Sequence, residues 1–152
     1  MIRGISQLVI DDKGRVKIPS RYRDIFLRAP EPVYRIVITV DRDGCLLLYP
    51  VSEWERIEKN IMELPNLNKQ VRRIQRLLFG HASELELDGQ GRVVIPPPLR
   101  EFACLEKQTV LCGQGNKFEL WSEEVWLAQR AAWLKEEEGT NEINKILESI
   151  KL

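Results

Sequence analysis

Leu-Val-Ile-Asp-Asp-Lys-Gly-Arg-Val-Lys-Ile-Pro, residues 8–19, is answered by Leu-Glu-Leu-Asp-Gly-Gln-Gly-Arg-Val-Val-Ile-Pro, residues 85–96. With Arg15 set over Arg92, identical residues fall at Leu8/Leu85, Asp11/Asp88, Gly14/Gly91, Val16/Val93, Ile18/Ile95 and Pro19/Pro96, and a further arginine follows each Pro, at Arg23 and Arg100. A self-similarity of this kind governs the fold before any local reading does. Within each copy, Val16 and Ile18 alternate with Arg15 and Lys17, the period of a half-buried strand. Asp11 suits the opening of a turn, because its carboxylate accepts backbone N–H groups two residues on. Gly14 suits the left-handed closing position of a type I turn with a bulge. The expectation is a hairpin at each copy, with Asp11, Gly14, Asp88 and Gly91 forming the turns.

Working outward, Pro19 ends the strand and Ser20 is placed to cap a short helix over Arg21–Leu27, with Tyr22, Ile25 and Phe26 on its apolar side. Ala29–Val33 reads as a linker. Ile36–Val40 and Cys45–Tyr49 read as strands around an Asp41–Gly44 turn. Ser52 and Glu55 have the spacing of a capping box, opening a helix with Trp54, Ile57, Ile61 and Leu64 on one face. After Pro65, a second helix over Leu67–Phe79 buries Leu67, Val71, Ile74, Leu77 and Leu78 and leaves Arg72, Arg73 and Arg76 outside. The pattern then restarts: strands at Ser83–Leu87 and Val93–Ile95, a short helix at Leu99–Ala103, strands at Thr109–Cys112 and Phe118–Trp121, and a helix capped by Ser122 that holds Trp126. Trp54 over Trp126 needs a separation of 72, against 77 at Arg15 and Arg92. The five-residue difference is assigned to the Ala29–Val33 linker. A charged break over 136–141 precedes a terminal helix carrying Ile143, Ile146, Leu147 and Ile150.

A unit of roughly 45 residues buries too little surface to stand alone without a disulfide or a metal. Cys45, Cys104 and Cys112 are odd in number and form no C-x-x-C, and His81 is the only histidine, so no metal or cofactor is expected. The cysteines read as small core residues and His81 as the entry to a strand. The two repeats must therefore share one core. Without a run of 18 apolar residues or an apolar leader, the expectation is a cytoplasmic chain with no membrane partner.

The 152 residues hold 23 basic and 23 acidic side chains, which excludes a simple polycation. The distribution is uneven. Residues 1–28 carry seven basic and three acidic groups, residues 116–152 five and eight. Arg15, with Lys13 and Lys17 on the same hairpin, is the candidate for phosphate or guanine contact, where a planar fork suits bidentate bonding. Arg92 is the second candidate, on a hairpin with Gln90 and Val94 in place of the two lysines. The competing reading has Asp11–Arg15 and Asp88–Arg92 as ion pairs that only latch the turns. Arg21, Arg23 and Arg100 are expected to brace the fold. No paired carboxylates with a base, no nucleophile beside His81 and no phosphate loop point to an enzyme or a small-molecule substrate.

Asp-x-x-x-Arg followed by Val-x-Ile-Pro, twice, with Phe118-Glu119-Leu120-Trp121 closing the second copy, resembles the MraZ family over about residues 1–135. The resemblance implies an α+β fold in which two AbrB/SpoVT-like repeats interlock as a swapped-hairpin barrel with flanking helices. The divisions expected are repeat one over 5–52, connecting helices over 53–80, repeat two over 81–124 and C-terminal helices over 125–152. It further implies a nucleoid-associated transcriptional regulator that binds double-stranded DNA at direct repeats upstream of the bacterial division and cell-wall gene cluster. Such proteins assemble as ring-shaped homo-oligomers, for which Trp121, Trp126, Trp133 and the helices over 52–79 offer apolar surface. The alternative is a non-catalytic, antitoxin-like interaction module that makes no DNA contact.

Overall fold

The computed structural model describes residues 1–28, 30, 32–137 and 141–151. Two compact units are present, Met1–Ser122 and Glu123–Leu152. Among its described residues the first holds nine strands: β1 (Ile5–Val9), β2 (Arg15–Lys17), β3 (Leu27–Arg28), β4 (Val33–Val40), β5 (Leu46–Pro50), β6 (Ser83–Glu86), β7 (Arg92–Val94), β8 (Gln108–Gly113) and β9 (Phe118–Ser122). It also holds a 3-10 helix (Ser20–Phe26), α1 (Val51–Met62), α2 (Lys69–Gly80) and α3 (Pro97–Phe102). Seven strands form one antiparallel sheet in the order β1-β8-β9-β5-β4-β3, with β6 also on β4; β2 and β7 form a separate ribbon.

The strands that flank each Asp–Arg turn do not pair with each other as a hairpin. The turn closes over two backbone bonds, Asp11 N–H to Arg15 O at 3.0 Å and Gly14 N–H to Asp11 O at 2.9 Å, and then the chain splits. β1 pairs with β8 and β2 with β7. In the second copy β6 crosses to β4 and β7 to β2. Every one of these partners belongs to the other repeat, so the expectation of two self-contained hairpins is corrected to an exchange of strands between repeats. Local pattern favours a hairpin because a two-stranded unit is the nearest partner in sequence. The exchange wins because three-residue strands cannot bury Val16 and Val93 except against a core built by both copies.

The exchange is symmetric. Val16 faces Val93, its own repeat mate, and Leu47 faces Glu119, the pair related by the separation of 72. A pseudo-twofold axis therefore runs through the middle of the ribbon and through the β5–β9 pair. Leu8 pairs with Thr109 as Leu85 pairs with Ile36, which makes Ile36 and Thr109 equivalent. Four of the five residues of offset thus fall before β4, around the short β3–β4 pairing that the linker reading missed. The fifth falls in the turn after β4, so the assignment to the linker alone is corrected. Ala29 and Glu31 of that linker lie outside the described residues.

One core serves both repeats. Val16, Ile18, Phe26, Ile36, Ile38, Leu46 and Leu48 from the first meet Val93, Ile95, Leu99, Leu111, Phe118 and Leu120 from the second, all close to fully buried. Phe118 anchors the aromatic centre, with Tyr22 edge-on at 4.8 Å and Phe26 at 5.7 Å between centroids. Burying a Leu, Ile or Phe side chain stabilises by about 1.5–3 kcal/mol, so this shared cluster dominates the unit's stability.

Several local expectations change. Ser20 makes no capping bond; Pro19 is the cap position of the 3-10 helix, and Ile25 on it is 36% exposed. The Ser52–Glu55 box does not form, because β5 runs through Pro50 directly into α1 and places Ser52 inside the helix. Leu64 lies beyond α1 and is exposed. Asn68, not Leu67, opens α2: its side chain accepts from Gln70 and Val71 N–H. Leu67 is then 94% exposed, and Ile74 and Leu77 are partly so. Ile74 and Leu77 line an apolar groove of about 620 Å³ with Leu47, Tyr49, Trp54 and Phe102. Cys104 is exposed rather than buried and takes the left-handed backbone (φ +53°) that ends α3, while Cys45 and Cys112 are buried as expected. His81 closes α2 through Nδ1, 2.8 Å from Leu77 O.

The second unit holds α4 (Glu123–Glu137) and α5 (Asn141–Ser149). Trp126 and Trp133 stack edge-on within α4 at 6.0 Å. Ile146 on α5 and Ile150 just past its end are more than half exposed. Part of the expected charged break, residues 138–140, lies outside the described residues. Among the described residues no helix is long and apolar enough to cross a membrane.

Candidate nucleic-acid interface

The β2–β7 ribbon has one face in the core and one outside. Val16 and Val93, each 1% exposed, point inward. By the alternation of a strand, Arg15 and Lys17 from β2 and Arg92 and Val94 from β7 occupy the other face. The register sets Arg15 opposite Val94 and Lys17 directly opposite Arg92. Lys13 stands exposed at the adjoining turn. The four cations singled out in the sequence are thereby gathered on one surface, three from the first repeat and Arg92 from the second. Like charges facing each other across an antiparallel pair are destabilising, so Lys17 against Arg92 is not an arrangement that stability alone selects.

The turns beside the ribbon are built alike to within a tenth or two of an ångström. Gly14 N–H donates to Asp11 O at 2.9 Å, and Gly91 N–H to Asp88 O at 2.9 Å. Both glycines have φ near +77°, a conformation that costs other residues strain. Asp11 Oδ1 accepts Lys13 and Arg15 N–H, each at 2.9 Å; Asp88 Oδ1 accepts Gln90 and Arg92 N–H at the same distance. Oδ2 of each aspartate then takes Nε of its arginine, at 2.7 Å for Arg15 and 2.8 Å for Arg92. The latching ion pair and an outward guanidinium are therefore compatible. Only Nε is engaged side-on, and among the described residues neither Arg15 nor Arg92 places a terminal Nη on a protein acceptor. The fork remains available for a second acceptor.

Backbone N–H donors, Arg92 first, hold the Asp88 carboxyl down at about 2, and Arg15 with Lys13 lowers Asp11 in the same direction. An unfolded Asp titrates near about 3.9. A depressed folded value means the stabilisation is complete above the unfolded value and is lost as pH falls through the folded one. Carboxyl NMR should accordingly give an Asp88 midpoint near pH 2, with the Gly91 and Arg92 amide signals unmoved down to about pH 3. A midpoint near about pH 4 would show the latch to be absent in solution.

The other arginines sit elsewhere. Arg21 reaches Ser6 Oγ at 2.7 Å and lies over the Tyr22 ring, away from the turns. On α2, Arg72 is tied back to Asn66 O and Leu67 O just ahead of the helix, and Arg73 to Gln70. The sequence offered no sign of one grouping, Asp41, Cys45 and Glu119, whose ligating atoms lie within 4.8 Å of one another. Asp41 opens a third turn of the same kind, with Gly44 at φ +95° and Asp43 N–H on Oδ2. Burial drives the Cys45 thiol far up and raises Glu119. A carboxylate spent on its own turn beside a neutral thiol is a turn's packing.

The sequence model described as "MraZ protein, putative antitoxin-like" matches residues 1–77 and again 78–145. The chain belongs to the MraZ family. A relative from Thioalkalivibrio sulfidiphilus is 59% identical over 152 residues, covering all of both chains. One from Methylococcus capsulatus is 54% identical over 136 residues, 90% of this chain and 88% of the relative, and one from Halorhodospira halophila is 51% identical over 154 residues and the whole of both. All three carry the name transcriptional regulator MraZ. The division between the two matches falls within α2, and each MraZ repeat supplies one Asp–Arg turn and one strand of the ribbon.

Proposed function

We propose that this MraZ-family chain is a cytoplasmic, nucleoid-associated transcriptional regulator, not an enzyme, that binds double-stranded DNA through the β2–β7 ribbon. The observation that carries this is the outer face of the ribbon, where Lys13, Arg15, Lys17 and Arg92 converge and Lys17 stands against Arg92. Arg15 and Lys13 make the leading contact and Arg92 the lesser one, since Gln90 and Val94 occupy the places of Lys13 and Lys17 in the second copy. The relatives' shared name supports a regulatory role.

Four cations on a chain of zero net charge make a small electrostatic footprint. Affinity must then come from several subunits engaging several sites at once. This is the reason to read the operator as direct repeats upstream of the division and cell-wall gene cluster, met by successive subunits of a ring-shaped homo-oligomer. A second reading, an antitoxin-like assembly module, draws on the exposed Ile146 of α5 and Ile150 just beyond it.

Fluorescence anisotropy with the chain's own upstream DNA separates the two. Binding should strengthen steeply as direct repeats are added, and the slope of log affinity against log salt should approach about −0.9 for each phosphate neutralised, or roughly −3 to −4 per engaged subunit. Equal affinity for one repeat and for several would contradict the multivalent reading. No binding to any promoter fragment would favour the assembly module.

A further inference from the structure

The glycine at each ribbon turn is covered by an arginine from the other repeat. A Cβ on Gly14 would lie 2.7 Å from both Cζ and Nη1 of Arg100, and one on Gly91 would collide with Nε and Cζ of Arg23. Arg23 and Arg100 are repeat equivalents, yet each packs on its neighbour's turn instead of its own. The backbone crosses in the same sense: Ile95 N–H donates to Gly14 O and Ile18 N–H to Gly91 O, both at 2.9 Å. Each turn is thus held on one side by a strand, and on another by a guanidinium, of the opposite repeat.

Charge pairing does not explain these two side chains. Among the described residues neither enters an ion pair. Arg23 Nε donates to Ile18 O at 3.1 Å, and Arg100 Nε is buried with no acceptor. A buried donor left unpaired lowers stability, so Arg100 is a poor choice if its task were only to fill space. What a flat guanidinium supplies is a close fit against a backbone that has no side chain to push it away.

We propose that Arg100 and Arg23 are crossed positioning residues. Arg100, in the second repeat, holds the Asp11–Arg15 turn in the shape that meets DNA, and Arg23, in the first, holds the Asp88–Arg92 turn. This rests on the ribbon being the DNA-binding surface. Ordering a loop before binding removes that cost from the complex. Since the first turn carries Lys13 and Arg15, its brace matters more, and that brace lies in the other repeat.

Arg100→Ala and Arg23→Ala are compared with wild type in anisotropy titrations across a salt series, after circular dichroism and sedimentation confirm fold and assembly. Arg100→Ala should weaken binding on the order of tenfold with the salt slope unchanged, and Arg23→Ala clearly less. Equal effects, or a salt slope reduced by about one ion per subunit, would overturn the proposal, the latter by making the arginine a direct phosphate contact. Arg100→Lys and Arg23→Lys keep the charge and cover the case of an alanine variant that fails to fold. By amide hydrogen exchange, Arg100→Lys should speed Gly14 and Arg15 while leaving Gly91 and Arg92 as they were, and Arg23→Lys should do the reverse. A same-repeat pattern, or no change, would overturn the crossed bracing. The exchange result stands apart from DNA, so if wild type bound no DNA the functional reading would fall while the bracing was still decided.

Discussion

Arg15→Ala should reduce affinity for promoter DNA by about tenfold to a hundredfold for each subunit engaged, with the losses multiplying across an assembly that grips several repeats. Its fork is left open for an outside acceptor while Nε stays on Asp11. The fold should survive the change. Asp11 keeps its bonds to Lys13 and Arg15 N–H, and losing one half-buried ion pair at the rim of the fold should shift the melting temperature by no more than a few degrees. Arg92→Ala should follow in the same direction with a smaller loss. Anisotropy on the repeat-containing fragment measures both. Undiminished binding by an intact Arg15→Ala assembly would remove that arginine from the contact surface.

The second large effect concerns the fold. A fragment of residues 1–80 retains β4 and β5 with α1 and α2, but strips β8 from β1, β7 from β2 and β6 from β4. It also removes Ile95, Leu99, Leu111, Phe118 and Leu120 from the core. What remains of the core has lost the strands and side chains it packs against, so the fragment leaves too much apolar surface uncovered to fold by itself. The fragment should be unfolded as a monomer, or recover structure only as a homodimer in which a second copy takes the place of the missing repeat. Circular dichroism and sedimentation equilibrium read this together. A folded, monomeric 1–80 would contradict the exchange of strands.

How much of this was legible in the chain depends on the range over which each feature is decided. The repeat, its turns and its core positions are local, and Asp11, Gly14, Val16 and Ile18 behave as their pattern indicates, in both copies. Strand exchange is not local: β2 looks like the return arm of a hairpin until its partner across the core is known. The placement of Lys17 against Arg92 follows only from that exchange, so the like-charge face could be composed from the sequence but not assembled. Capping readings failed where a strand ran unbroken into a helix, as at Pro50 and Ser52, leaving no separate residue to act as cap. The apolar stripe of α2 was correctly periodic, yet periodicity does not say which residues are covered, and Ile74 and Leu77 face an open groove. The crossing of Arg23 and Arg100 onto the opposite turns had one available hint, the glycine that each needs, but nothing in sequence order to say which glycine belonged to which arginine.

That the ribbon is the surface that meets DNA is tested most directly by photo-crosslinking. A photoreactive residue is introduced singly at position 13 of the first turn, at position 90 of the second and at position 76 on α2, and each intact assembly is irradiated on the repeat-containing promoter fragment. The expected result is strong crosslinking from 13, weaker crosslinking from 90 and none from 76. Crosslinks confined to 76, or absent from 13, would contradict a DNA-binding ribbon.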